Sequence, residues 1–385
     1  MKIMLSAGEA SGDLHGESLA KAIKELQPAA ELIGFGGPRM AQAGVRLCAD
    51  MREYSIMGVW EVLKNLGRIF GLLRKLTDFM AAERPDLLVL IDYPDFNWRL
   101  AAKAKTLGIP VFSYIPPSAW AWRKGRAKKC AALADELAAI FPFELPVYEA
   151  AGANITFQGN PLIDTVKPVM SRQEARDYFQ VPADKQVVVL LPGSRRQEIR
   201  MMFPVMLEAA RLLQQEKPDL EFYAPVAVGI EQSVLEQMAQ QAGIRVHFTN
   251  DHNYDLMHIG MFALATSGTV VMEAAILGLP CVALYRMAAL NYAIGRMLVK
   301  IDHFTLPNIL AGRAVQQELL QDQVTGEGVY QAARRFYAEA GYLEEVQAGL
   351  QEAVAKLGQP GAAKRVAGRI LAAARKFNHC GGEDR

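Results

Sequence analysis

Short, continuously apolar runs recur along the chain, each followed by a glycine-containing loop and a segment with helical spacing. Ile3–Ser6, Leu32–Phe35, Leu87–Ile91, Val111–Ile115 and Leu137–Phe141 form one series. Val187–Leu191, Leu220–Ala224, Val246–Phe248, Phe262–Thr266 and Cys281–Tyr285 form a second. Strands that are apolar at every residue, rather than at alternate ones, belong to parallel sheets covered by helices on both faces. The pattern predicts an α/β protein of two doubly wound, Rossmann-like domains facing each other across a cleft. A poorly periodic stretch with Pro161, Pro168 and Pro182 separates the series and reads as a linker near 160–185. From about Gly312 the signal turns helical, with Leu319, Leu320, Tyr330, Phe336, Val346, Leu350, Val354 and Leu357 at helical spacing. The expected divisions are 1–165, 166–345 and a helical tail over 346–385, packed back on the first domain or on a partner subunit.

Residues 57–82 depart from this pattern. Val59, Leu63, Leu66, Phe70, Leu73, Leu76 and Met80 repeat every three or four positions, and Trp60, Val62, Ile69, Leu72 and Phe79 broaden the same face. Lys64, Arg68, Arg74 and Lys75 flank it. A broad apolar face with a basic flank suits a helix lying in a membrane interface. An amphipathic helix packed on the sheet is the ordinary alternative. Gly67 and Gly71 lower helix propensity and allow a break there. Farther on, Arg123, Lys124, Arg126, Lys128 and Lys129 follow directly on Trp120 and Trp122. Such a cluster suits phosphate or anionic lipid, with a solvated helix face as the alternative.

Composition narrows the class of protein. The chain has 385 residues, 51% hydrophobic and 22% charged, which is globular rather than disordered. Lys plus Arg number 42 against 41 Asp plus Glu, a net charge of +1 that gives no global case for nucleic-acid binding. Cys48, Cys130, Cys281 and Cys380 lie far apart, as reduced cytoplasmic thiols do. The first residues lack the apolar stretch of a secretory signal, and no run approaches the ~20 apolar residues that span a bilayer. Histidines are scattered and no metal-ligand spacing occurs, so neither metal nor cofactor is expected.

Chemistry concentrates where strands end. Gly8-Glu9-Ala10-Ser11-Gly12-Asp13 follows the first strand and opens a helix, a turn in which backbone N–H groups can approach a ligand. Capping of the helix by Ser11 or Asp13 is the plainer reading. Asp92, beyond Leu87–Ile91 and among aromatic residues, is placed for general base chemistry, with a raised pKa. Asp95 reads as a helix-starting residue. In the second half, Pro192-Gly193-Ser194-Arg195 makes an anion pocket in which Arg195 can grip diphosphate oxygens. Gly268 and Thr269 stand at a helix N-terminus suited to a diphosphate, and Glu273 one turn on can accept from ribose hydroxyls.

Together these units resemble the GT-B glycosyltransferases and, more closely, the lipid-A-disaccharide synthase family. The resemblance rests on Ala7 to Asp13, Gly36-Gly37-Pro38-Arg39-Met40, Met57-Gly58, Ile91 to Asn97, Pro117 to Arg123, Leu191 to Arg195 and Leu306-Pro307-Asn308. It implies an inverting transfer of 2,3-diacylglucosamine from UDP to 2,3-diacylglucosamine 1-phosphate (lipid X), giving lipid A disaccharide 1-phosphate and UDP. By resemblance Asp92 deprotonates the acceptor hydroxyl, and Arg195, Ser194, Gly268 and Thr269 take up UDP. Glu273 holds the ribose, Asn308 contacts the donor, and Glu9 and Ser11 line the acceptor side. Tyr93 and Gln197 receive no role. The acylated substrates imply peripheral work at the cytoplasmic face of the inner membrane, through Val59, Trp60, Leu63, Leu66, Ile69, Phe70, Leu73, Arg123 and Lys124. The resemblance also admits a homodimer. Another GT-B UDP-N-acetylglucosamine transferase or epimerase, or a non-catalytic membrane-bound nucleotide sensor, are the competing readings.

Overall fold

A computed structural model describes residues 1–54, 66–120, 125–287 and 302–380, with only the backbone given for Leu66 and residues 377–380. The chain divides into two compact units, Met1–Pro161 with Leu357–Arg385, and Leu162–Lys356. The first holds a seven-stranded parallel sheet of β1 (Lys2–Ala7), β2 (Glu31–Gly36), β3 (Arg46–Asp50), β4 (Leu87–Ile91), β5 (Val111–Tyr114), β6 (Glu136–Ala139) and β7 (Ile155–Phe157). Its spatial order is β3-β2-β1-β4-β5-β6-β7. The second holds β8 (Gln186–Leu191), β9 (Leu220–Pro225), β10 (Val246–Thr249), β11 (Phe262–Thr266), β12 (Cys281–Tyr285) and β13 (Glu318–Leu320), in the order β10-β9-β8-β11-β12-β13. In each sheet the order reverses beside the first strand, between β1 and β4 and between β8 and β11. That is where open parallel sheets leave a crevice for ligands.

Both faces of each sheet are covered, as continuously apolar strands require. On one face of the first sheet, Leu72, Leu76 and Met80 of the helix Leu66–Glu83 pack with Met4, Leu88 and Leu90. On the other, Leu19 and Ile23 of the helix Ala10–Leu26 pack with Ile3, Leu5 and Val89. Val366, Ala367, Ile370 and Ala374 of the last helix, Ala362–Cys380, join that second layer. Arg365 anchors this returning segment by donating to the backbone carbonyls of Gln158, Gln359 and Pro360.

Several expectations are corrected. The stretch 162–185 is no linker: helices Leu162–Thr165 and Arg172–Tyr178 belong to the second unit, and buried Asp255 accepts from the N–H groups of Val169 and Met170. Leu319 and Leu320 form the edge strand β13 rather than a helix, because pairing with β12 captures a segment too short to show its own period. The helix Tyr342–Ala355 falls in the second unit, so the chain re-enters the first at Leu357 rather than at 346. Gly67 and Gly71 do not break the helix Leu66–Glu83. Most of its described apolar face is core: Leu72, Leu76 and Met80 are buried, and Ile69, Leu73 and Phe79 pack at the edges. Among the described side chains of this helix, Phe70, 53% exposed, is the large apolar one that faces solvent.

In the second unit, Glu216 ties the helix Arg196–Glu216 to Gly326–Ala338. Its carboxylate accepts from the hydroxyls of Tyr330 and Tyr337, both at 2.8 Å, and from Arg334 Nη2 at 2.8 Å. These partners, Arg334 first, hold its pKa down to about 2. A carboxyl depressed in the folded state stabilises above its unfolded pKa, and that contribution is lost as pH falls through the folded value. Acid titration of thermal stability should therefore show a loss between about pH 4.5 and 2 that is smaller in Glu216→Gln; identical slopes for the two proteins would show that the latch carries no weight.

Candidate active site

β1 pairs with β4 so that Ala7 lies opposite Ile91, and the loops after both strands emerge side by side. Asp92 and Tyr93 both adopt left-handed backbone, with φ of 48° and 52°. Such a conformation costs non-glycine residues about 1–3 kcal/mol and needs surrounding structure to impose it. Asn97, 1% exposed, supplies that structure. Its Nδ2 donates to the carbonyl of Asp92 at 2.7 Å and to that of Ser6 at 3.2 Å, while Oδ1 accepts from Ser6 Oγ at 2.7 Å. The Asp92 N–H donates to the carbonyl of Tyr114 at 3.2 Å. Asp92 is thus fixed by β1, β5 and the helix Pro94–Thr106 at once.

Burial raises the Asp92 pKa, with a hydrogen bond from the Tyr93 backbone opposing the rise. His15, whose ring stands 6.3 Å from that of Tyr114, is driven down to about 4 by burial and stays neutral. Tyr93 is more than the unassigned residue of the sequence reading. Its ring lies on Gly8, where any Cβ would collide with it, and stands 5.6 Å from Phe96. Burial, and then the charge of Glu9, raise the Tyr93 phenol. Glu9 and Ser11 are exposed at this edge. The capping expectation is corrected: Glu9 is the N-cap residue, with no side-chain cap. Asp13 is buried and accepts instead from the N–H groups of Gly37, Arg39 and Met40, joining the first loop to the turn after β2.

The second unit repeats the arrangement around a cavity of about 420 Å³. Gly193, Ser194, Arg195 and Glu198 line it from the loop after β8, and Ser267, Gly268, Thr269 and Glu273 from the loop and helix (Thr269–Ile276) after β11. Glu198 organises the first loop. Its Oε2 accepts from the N–H groups of Ser194 and Arg195, each at 3.2 Å, and its Oε1 holds the Arg195 guanidinium at 2.9 Å. The Arg195 side chain is otherwise 82% exposed, so an anion can draw it in without breaking a buried contact. Burial raises the Glu273 pKa, and burial with the Glu273 charge pushes the Tyr254 phenol up to about 12. Among the described residues, the buried Thr266 hydroxyl in the cavity lining has no hydrogen-bond partner.

Asn308 does not reach this cavity. It is fully buried, its Oδ1 accepts from Val315 and Gln316 N–H, and its Nδ2 donates to the Gln316 carbonyl, so it scaffolds a loop rather than offering itself to a donor. Asp92, Glu9 and Ser11 share the first unit, and Ser194, Arg195, Gly268, Thr269 and Glu273 share the second. Val59, Trp60, Leu63, Arg123 and Lys124 lie outside the described residues, as does the side chain of Leu66. Sequence reasoning missed Asn97, Glu198 and Thr266. Only Glu198 left a signal, three residues after Arg195 at capping-box spacing. Among the described residues no group of three or more His, Cys, Asp or Glu is placed to hold a metal.

Two glycines of this cavity separate folding from binding. Gly193 has φ +109°, and a Cβ there would lie 2.7 Å from Glu198 Oε2. Gly268 has an extended backbone, and a Cβ there meets nothing within 4 Å. Gly193→Ala is expected to lower stability by about 1–3 kcal/mol in chemical denaturation. Gly268→Ala should unfold like the parent yet bind UDP at least tenfold more weakly in calorimetry, because the methyl occupies the approach to the helix N-terminus.

Residues 3–367 match the family described as lipid-A-disaccharide synthetase. A lipid-A-disaccharide synthase of Geobacter sulfurreducens is 41% identical over 370 residues, 96% of this chain and 96% of that one. Among solved structures, MnaA of S. aureus with UDP superimposes with a TM-score of 0.65 at 18% identity, covering 96% of this chain and 95% of that one. The calicheamicin glycosyltransferase CalG4 does so with a TM-score of 0.62 at 13% identity, covering 97% of this chain and 98% of that one. At such identities the two structures speak for the fold, which is of the GT-B type. The family match runs through both units and nearly the whole chain: this protein belongs to the lipid-A-disaccharide synthetase family of glycosyltransferases.

Proposed function

We propose that the protein joins the 2,3-diacylglucosamine of a UDP donor to 2,3-diacylglucosamine 1-phosphate, with inversion at the anomeric carbon. The observation that carries this reading is Asp92, a half-buried carboxylate of raised pKa held in a left-handed turn at the switch point of the first sheet. In the transfer, Asp92 accepts the proton of the acceptor 6-hydroxyl while that oxygen bonds to the donor anomeric carbon. The bond from that carbon to the diphosphate breaks, and UDP leaves with the electron pair. Arg195 and the N–H groups at the start of the helix Thr269–Ile276 neutralise the charge that develops on UDP. Glu273 accepts from the ribose hydroxyls. Family membership favours this over the epimerase and sensor readings.

Asp92 also couples activity to stability. Its folded pKa is raised, so the folded state favours the protonated form and is penalised once Asp92 ionises at neutral pH. Asp92→Asn is therefore expected to melt at or above the parent temperature at pH 7, while losing about 10²–10⁴-fold in rate. In the parent, the acidic limb of kcat/KM should lie above the ordinary aspartate range near pH 3.9. Full turnover by Asp92→Asn in a radiolabelled-lipid assay would overturn the assignment.

Acyl-chain substrates place the reaction at the cytoplasmic surface of the inner membrane. No helix among the described residues is long and apolar enough to cross a membrane. The exposed Phe70 is the cleanest described probe of contact, because Ile69 and Leu73 are shared with the core. Phe70→Ser should leave the melting temperature unchanged and reduce co-sedimentation with anionic vesicles several-fold; undiminished pelleting would refute this part of the proposal.

A further inference from the structure

A second, smaller cavity lies in the first unit between the helices Pro94–Thr106 and Gly125–Leu133, and the chemistry above leaves it unused. Its volume is about 160 Å³, half the lower end of the range that encloses a whole small-molecule ligand, so it suits one functional group. Arg99, Arg126 and Lys129 line it together with a single acid, Asp95. The acid is engaged: Asp95 Oδ1 accepts from Arg126 Nη2 at 3.2 Å and fixes that guanidinium. Arg99 is steadied from outside by the Phe70 ring, 5.7 Å away. Among the described residues, Lys129 has no ion-pair partner. Three cations against one carboxylate leave the pocket two charges positive, the complement of a phosphate dianion.

The walls are made to hold such a group. Pro94 and Pro117 contribute no N–H donor, so recognition falls to the charged side chains. Tyr148, buried, donates to the Pro117 carbonyl at 2.6 Å and fixes that wall. Trp98, 6% exposed, lines the pocket with its apolar body. The pocket begins at the first turn of the helix that follows Asp92. Three residues of chain span at most about 11 Å, so Asp95 lies within that distance of Asp92 along the backbone.

We infer that this pocket binds the phosphomonoester of the acceptor, with Arg99, Arg126 and Lys129 as its cationic wall, so that the sugar is held by its phosphate while its hydroxyl meets Asp92. The inference rests on the proposed acceptor for its ligand, but on the pocket alone for its chemistry. A phospholipid headgroup offers the same phosphate chemistry, and the test separates the two sources.

Lys129→Gln is measured against the phosphorylated acceptor and its phosphate-free counterpart, both in detergent micelles, with Lys103→Gln, an exposed lysine of the helix Pro94–Thr106 outside the pocket, as a control. In the parent, removing the phosphate should raise the acceptor KM on the order of tenfold. In Lys129→Gln the phosphorylated acceptor should already show that higher KM, and removing its phosphate should change it little. Lys103→Gln should behave as the parent. Independently of turnover, the parent should broaden the ³¹P resonance of glucosamine 1-phosphate, and Lys129→Gln should not. Broadening without any transfer activity would sink the proposed reaction while leaving the pocket assignment standing. An equal KM penalty on both acceptors, or equal broadening by parent and variant, would overturn the inference. So would an effect of Lys129→Gln confined to binding of anionic vesicles, which would mark a headgroup site.

Discussion

An all-parallel sheet must be covered on both faces, and every strand must be reached by a crossover through a helix. That constraint sends all the strand-to-helix loops of a sheet out of one edge. It also makes the pairs β1/β4 and β8/β11 the places where neighbouring crossovers part in opposite directions. Asp92, Glu9 and Tyr93 sit at the first of these edges, and Ser194, Arg195 and Gly268 at the second. These candidate residues stand at strand ends because that is where a parallel sheet leaves backbone and side chains without neighbours to cover them.

The two edges are stiffened by different means. In the first unit the anchors are buried and polar: Asn97 stitches Ser6 to Asp92, and Asp13 gathers three N–H groups from the turn after β2. Buried polar groups that are fully hydrogen-bonded fix one geometry, because every alternative leaves a desolvated donor or acceptor. In the second unit Glu198 gathers its loop at the surface, and Arg195 remains mostly in solvent. In the proposed transfer a base must be held at one angle to its proton, whereas a cation that follows a leaving diphosphate gains from reach.

The same logic explains why Asp92 stands in a poor position for stability. Left-handed backbone and partial burial of a carboxylate are both unfavourable to folding, and both are imposed by surroundings that gain elsewhere. The cost yields a carboxylate whose affinity for a proton exceeds that of an aspartate in water. Tyr93 belongs to the same compromise, since its ring fills the space that glycine at position 8 leaves open.

Short apolar runs bounded by turn residues located ten of the strands, because four to six residues are too few for a buried helix. The strands β3, β7 and β13 escaped this reading, since all three lie at sheet edges, are only partly buried and carry polar residues, so pairing with a single neighbour decides them. Asp92, Arg195 and Glu273 were legible from their place after apolar runs and from the family their motifs resemble. Asn97 and Asn308 could not be sorted by sequence: both are buried amides, and only their partners show that one braces the turn at Asp92 while the other braces the loop at Val315. The broad apolar face of 66–83 was equally ambiguous, because a hydrophobic side chain has the same spacing whether it meets lipid or a sheet. Sequence determines which residues avoid water, through local pattern. Which surface receives them, and which polar groups remain unpaired for a ligand, depends on chain segments tens to hundreds of residues apart, and only the tertiary structure brings those together.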